Sequence, residues 1–494
     1  MKNKKLNKNI KIKDKYKIIL LSFFIVFLST TLFFYYSNQK SGFIKSTKEL
    51  VPQKYKQFFK NTIFSISELK KRNANLEKDL KELKKRIWNN EADTIEIFSQ
   101  LKGINVQNEN IEIIKKKIPF ESTISSGYGG KPLAYLDKIN DKIIFVSGTG
   151  TIKFGFSKNI ALDSKIKLFE IKNNLLEIIK DDAFWDDTRS VIVKDSRGHY
   201  KNLSNVISVK GIMIHNGFIY ISYVKEIKEN CYATSVLSAK FDKDNLQFKE
   251  LFSPKDCISA IALEFLGHSA GGRMTPYKKN KILLTVGEFS QFDLVQNDSN
   301  VFGKILAIDT RDGNYEIISK GHRNSQGLIY LKQEDVILST EHGPKGGDEI
   351  NKIVKNGNYG WPDASYGIIN SDELKAIGPK FNKHKENGFN EPVHYWDINP
   401  GIGQIKQVPL KFSNNWNNRF LITSLSGSLK PNGRYMGKSL FLTKFNQDFT
   451  NVVEMDRIFL GERMRDIIYD EEFNLFLITM ESSSNIGILR LKKD

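Results

Sequence analysis

Residues 328–342 read LIYLKQEDVILSTEH: an apolar run, a polar turn, and a second apolar run that ends in Ser and Thr. Alternation over a few residues on both sides of a charged turn is the signature of a β-hairpin. The same plan recurs in KIIFVSGTG (142–150), IMIHNGFIYISYV (212–224), KILLTVGEF (281–289), RFLITSLSG (419–427) and IIYDEEFNLFLIT (467–479). Repeated hairpins without intervening helical runs argue against alternating strand–helix units. They favour radial blades over a two-sheet sandwich. The final strand, ILRLKK (488–493), lies almost at the C-terminus, where a propeller closes its ring. The expected fold is all-β, a six-bladed β-propeller over residues 120–494.

Ahead of it the pattern changes. Residues 18–36, IILLSFFIVFLSTTLFFYY, contain no charge. At about 1.5 Å per residue such a helix just crosses a hydrocarbon core. Lys2, Lys4, Lys5, Lys8, Lys11, Lys13, Lys15 and Lys17 precede it against Asp14 alone. A basic flank of this kind stays in the cytoplasm, so the bulk of the chain is expected outside it, in a periplasmic or equivalent space. A cleaved signal peptide is the alternative, although no A-x-A site follows the run. The division expected is a basic cytoplasmic tail (1–17), a transmembrane helix (18–36), a juxtamembrane linker (37–60), a coiled-coil stalk (61–90) and a connector (91–119). The stalk rests on Ile66, Leu69, Asn73, Leu76, Leu80, Leu83 and Ile87, spaced as a heptad seam. An Asn at an a-type position favours a parallel dimer, so a homodimer through residues 66–87 is expected. An amphipathic helix packed on the domain or lying on the membrane is the alternative.

The formal net charge of +19 invites a nucleic-acid reading, and position removes it. Residues 1–88 hold 22 Lys and Arg against 6 Asp and Glu, which leaves 53 against 50 for the rest. The large domain is nearly neutral and has no footprint for a polyanion. The basic surplus sits where anionic lipid is the natural partner. Cys231 and Cys257 are the two cysteines of the chain, and both fall in the outer part. A disulfide between them is expected in an oxidising compartment; two unrelated buried thiols are the alternative.

Unusual chemistry concentrates in residues 321–362, GHRNSQGLIYLKQEDVILSTEHGPKGGDEINKIVKNGNYGWP. The Gly-Pro and Gly-Gly pairs free backbone carbonyls, and Asp348 and Glu349 add carboxylates. Such oxygens suit a hard cation such as calcium, though a structural loop has the same look. GHRNSQGL, EHGPKGGDEIN and NYGWP, in this order, resemble the soluble quinoprotein glucose/sorbosone dehydrogenases. These are six-bladed propellers that use pyrroloquinoline quinone (PQQ) and calcium. Arg463-Met464-Arg465-Asp466 resembles the family's R-x-R-D segment, and HYWDINPGIGQ (394–404) its substrate-side loop. The likeness is dense over 265–494 and only architectural over 120–260.

The resemblance implies roles. Arg323 and Asn324 would contact the quinone oxygens and adjacent carboxylate, and Arg463 and Arg465 the PQQ carboxylates. The carbonyls of Gly343 and Pro344 would bind calcium, with Asp348 supporting a nearby calcium or bracing the loop. A histidine would act as base for hydride transfer from a sugar, the implied substrate; the electron acceptor is unknown. Two departures stand. The family's base lies four residues before an Arg, whereas His268 lies five before Arg273, so either the loop carries an insertion and His268 is the base, or Ser269 takes the place. The family's cofactor lysine follows Ser-Leu. Here Ser424-Leu425 is followed by Ser426, and Ser428-Leu429 by Lys430. Either Lys430 keeps the role or the cation is lost. The second functional expectation is therefore a catalytically inactive propeller serving as an extracytoplasmic binding or scaffold module.

Overall fold

The computed structural model describes residues 98–492, apart from 119–133, 149, 164, 179–191, 195–199, 203–208, 262–264, 266, 368–383, 426 and 428–435. The chain divides into two units, Met1–Thr94 and Ile95–Asp494. The apolar run 18–36 and the heptads at 66–87 belong to the first and lie outside the described residues, as does Lys430 in the second. Among the described residues no helix is long and apolar enough to cross a membrane.

The second unit is a six-bladed β-propeller. The first strands of the blades, each lining the axis, are Ala134–Ile139, Val209–His215, Gly271–Tyr277, Ser325–Leu331, Ile402–Gln407 and Met464–Asp470. Each begins a sheet whose first four strands pair antiparallel. Each inner strand packs against the inner strands of the blades on either side, and the sixth meets the first. Hairpins of the expected kind build them. In blade two the connection from His215 to Phe218 is Asn216-Gly217, both at positive φ (51° and 76°). That is the conformation a two-residue turn needs to match strand twist.

Blade six corrects the expected boundary. Its three C-terminal strands, Met464–Asp470, Leu475–Met480 and Asn485–Leu491, are completed by Glu109–Lys117 and Phe98–Val106. The stretch read as a connector thus supplies the strands that close the ring, and the propeller begins before residue 120. Glu109–Lys117 pairs with Asn485–Leu491 from Ile111↔Leu491 to Lys117↔Asn485. Ile111 and Ile113 are buried in the core formed between blades five and six, with Trp416 and Leu489. Trp416 Nε1 donates to the Val106 carbonyl at 3.0 Å. A ring must join its first and last segments, because an open sheet edge leaves unpaired backbone groups.

Five of the six inner strands carry a register shift near their start: Val209/Gly211, Gly271/Met274, Ser325/Gly327, Ile402/Ile405 and Met464/Ile467. Bulges re-aim side chains and end regular pairing. Here they gather at one end of the axis, beside Arg323, Asn324, Arg463 and Arg465. Cys231, which opens the third strand of blade two, is disulfide-bonded to Cys257, with Cα atoms 5.3 Å apart.

Candidate functional site

Arg323 and Asn324 immediately precede the inner strand of blade four, and Arg463 and Arg465 stand at the start of that of blade six. His268 lies in the segment leading into blade three. The loop 342–347, between the second and third strands of blade four, brings Gly343 and Pro344 to the same end. These positions are far apart in sequence. The ring brings them together.

Glu481 anchors the blade-six pair. Its side chain is 1% exposed and takes Arg465 Nε at 2.5 Å and Arg463 Nε at 3.3 Å. Arg465 also donates through Nη1 to Gln326 Oε1 at 3.3 Å. Arg273 braces the backbone beneath: Nη2 donates to the Arg465 carbonyl at 2.6 Å and Nε to the Gln326 carbonyl at 2.8 Å. Its charge is answered by Asp466 at 3.1 Å, both side chains being buried. One carboxylate is therefore shared by two guanidiniums that face the axis.

Arg323 donates through Nη1 to the carbonyls of His342 (3.2 Å) and Gly343 (3.1 Å) and lies over the Trp361 ring. Its Nε is buried and has no hydrogen-bond partner. Glu288, fully buried, has a carboxylate oxygen 3.9 Å from that nitrogen. Burial pushes the Glu288 carboxyl up to about 7, although Arg323 pulls it down. Sequence reading missed Glu288 and Glu481; each is a lone acid at a strand end with no motif around it. Asn324 is buried, and its Oδ1 accepts from Gly271 N and Gln326 Nε2. It ties blade four to blade three.

The loop after Glu341 is held by its own acids. Asp348 accepts backbone N–H groups from Gly343 (3.0 Å), Gly401 (2.6 Å) and Ile402 (3.2 Å), so it braces the loop. Burial raises its pKa to about 7, against those three hydrogen bonds. The Gly343 and Pro344 carbonyls both face Asn399 Nδ2, at 3.4 and 2.9 Å. Among the described residues no group of three or more His, Cys, Asp or Glu side chains is arranged to hold a metal. His322 and His342 orient loops, as hydrogen-bond partners of Glu341 (2.9 Å) and of the Ile402 carbonyl (2.6 Å).

His268 and Ser269 differ sharply. Ser269 is 2% exposed, with its backbone paired to Phe289, whereas His268 is an exposed residue. Enough protein surrounds its ring to push the pKa down to about 4, burial first and then the charges of Lys210 and Arg323. At neutral pH it is an uncharged base. A cavity of about 1110 Å³ lies at the other end of the inner strands, between Tyr277, Tyr330, Lys406 and Tyr469. None of the groups above lines it.

A family model described as glucose/sorbosone dehydrogenase matches residues 207–490. The aldose sugar dehydrogenase YliI of Escherichia coli is 30% identical over 235 residues, which is 44% of this chain and 59% of that protein. The match thus spans about three fifths of the relative. Quinoprotein glucose dehydrogenase B of Acinetobacter calcoaceticus is 51% identical over 49 residues, 10% of each chain. Among solved structures, the soluble aldose sugar dehydrogenase of Escherichia coli in its apo form superposes with a TM-score of 0.56 at 18% identity. That likeness covers 78% of this chain and all of the other, and it bears on the fold.

Proposed function

This chain belongs to the glucose/sorbosone dehydrogenase family, and on that premise we propose that its propeller is a PQQ-dependent dehydrogenase of aldose-type sugars. The observation that carries the reading is the convergence of Arg323, Arg463 and Arg465 with a neutral, exposed His268 at one end of the axis. The residues fit the cofactor. Arg463 and Arg465 both pair with Glu481, and the buried Nε of Arg323 makes no hydrogen bond, its nearest carboxylate being that of Glu288 at 3.9 Å. A planar tricarboxylate answers such forks bidentately.

Arg463 and Arg465 would hold carboxylates of PQQ, and Arg323 with Asn324 its quinone side. The bound quinone supplies a two-electron acceptor for a hydride. His268 would take the proton from the sugar hydroxyl whose carbon loses that hydride. Burial first, and then the charges of Lys210 and Arg323, depress its pKa and keep the lone pair available. Arg273, through the Arg465 carbonyl, holds the arginine pair in place.

Calcium at the Gly343 and Pro344 carbonyls is part of the proposal, since both oxygens converge on one donor, Asn399 Nδ2. Those carbonyls give only two ligands, so further oxygens would come from cofactor or water. Membrane anchoring through 18–36, an extracytoplasmic location and a dimer through 66–87 are likewise proposed from the charge and heptad patterns. The disulfide suits an oxidising compartment.

The test uses the full chain in detergent with PQQ, calcium, an artificial electron acceptor and a panel of aldoses. Turnover that depends on PQQ and falls by about 10²-fold or more in His268→Ala, with PQQ still bound, is expected. PQQ binding without turnover on any aldose favours the binding-module alternative.

A further inference from the structure

The far ends of the inner strands enclose the cavity of about 1110 Å³, opposite the arginines, and three tyrosines line it. Tyr277 ends the inner strand of blade three, Tyr330 lies near the end of that of blade four, and Tyr469 near the end of that of blade six. Tyr277 and Tyr330 meet edge to face, with centroids 4.9 Å apart, and both pack on the core between blades three and four. The Tyr330 hydroxyl donates to Asp335 at 2.8 Å, and the Tyr469 hydroxyl to Asn474 at 2.5 Å. Rings held by packing or by their hydroxyls offer rigid aromatic surface at little entropic cost.

Lysines share the cavity. Lys278, Lys279, Lys332 and Lys406 line it against the acids Asp335 and Glu471, so the lining is positive. Lys278 pairs with Asp335 at 3.4 Å. Lys406 is half-buried on the inner strand of blade five, while Lys279 and Lys332 stand on exposed turns of blades three and four. Asp137 senses the Lys406 charge, but its own oxygens accept Ile214 N at 2.6 Å and Lys138 N at 2.8 Å. The domain as a whole is nearly neutral, and the ring gathers these lysines from three blades. Asn216, Asn280 and Gln407 add side-chain amides to the lining. The volume exceeds the roughly 300–1,000 Å³ that suits one small ligand, so there is room for more than one ring.

A sugar ring presents a C–H face that suits the negative face of an aromatic ring, and hydroxyls that amides can satisfy. Lysine answers a carboxylate as a point charge. We propose that this end of the axis binds an acidic oligosaccharide, a chain of two or more uronate-type rings. The rings stack on the tyrosines, and their carboxylates meet Lys279, Lys332 and Lys406. The site lies apart from the cofactor end, and the proposal stands whether or not a quinone binds there.

Trigalacturonate is titrated calorimetrically into the full chain in detergent, beside three controls. Maltotriose and the trimethyl ester of trigalacturonate keep the rings without the charge, and citrate keeps the charge without the rings. Trigalacturonate should bind saturably, one per chain, and each control about tenfold or more weakly. Lys406→Met, and the double variant Lys279→Met/Lys332→Met, should weaken trigalacturonate by a similar factor, and weakening by either supports the site. Arg463→Gln, at the other end of the axis, should leave it unchanged. Absence of saturable binding overturns the proposal, as does equal affinity for any control. Affinity unchanged in both lysine variants also overturns it, and so does loss in Arg463→Gln, which would place the sugar at the cofactor end. If Lys406→Met fails to fold, the exposed pair Lys279 and Lys332 decides alone.

Discussion

Replacing Glu481 by Gln removes one negative charge from a place where two guanidiniums share it. The side chain is 1% exposed, and those of Arg463 and Arg465 are 13% and 12% exposed, so solvent screens the loss poorly. Removing one partner of a buried ion pair typically costs about 3–5 kcal/mol. Unfolding entropy is roughly 2.1 cal/mol/K per residue, and the unit Ile95–Asp494 spans about 400 residues. The expected fall in melting temperature of the cofactor-free protein is therefore about 4–6 °C. The same substitution leaves the arginines with more unanswered positive charge, so it should strengthen attraction for an anion. Added PQQ should then raise the melting temperature of Glu481→Gln by more than it raises that of the wild type. Differential scanning fluorimetry with and without PQQ reads both. An unchanged melting temperature in the free protein refutes the electrostatic account of the pair. A smaller PQQ-induced rise in the variant refutes the role assigned to it.

Three further outcomes are expected. The Glu288 carboxyl is raised from 4.5 to about 7, so the stability its protonated form contributes is complete below about pH 4.5 and lost as the pH rises through 7. Glu288→Gln should therefore match the wild type near pH 4 and exceed it at pH 8 by about 3 kcal/mol in chemical denaturation; equal stability at pH 8 counts against a carboxyl raised by burial. Replacing both Cys231 and Cys257 by Ser reopens a link of sequence separation 26 and should destabilise the protein by about 3 kcal/mol, removing its sensitivity to reductant. A chain starting at residue 95 should unfold cooperatively, whereas one starting at residue 119 loses Glu109–Lys117 from blade six and should not; cooperative melting of the shorter chain contradicts the ring closure.

The blades were legible in the sequence because a hairpin is local: an apolar run, a turn residue and a second run suffice, as at Asn216-Gly217. The closing strands were not. Residues 98–117 carry their own turn signal, Gln107 and Asn108 at positive φ, but the partner of Glu109–Lys117 lies at the opposite end of the chain. Alternation within ENIEIIKKK and the adjacent Asn-rich turn were the clues available. At the site, motif length decided what could be read. Arg323, Asn324, Gly343 and Arg465 sit in runs that resemble a family. Lys210, Glu288 and Glu481 are single residues whose meaning comes from strands that only the closed ring makes adjacent. The ambiguity between His268 and Ser269 is a matter of burial, which spacing does not encode. For Asp348 the sequence left open a metal-supporting or a bracing role; the three N–H groups it accepts describe a brace.

The central claim is that the cationic end of this propeller axis holds PQQ. Equilibrium titration of PQQ into the calcium-loaded full chain, followed by quinone absorbance, measures it directly. The account predicts saturation at one PQQ per chain, with affinity lowered about tenfold or more when Arg463 or Arg465 is replaced by Gln. Absence of saturable binding, or binding indifferent to both arginines, would contradict it.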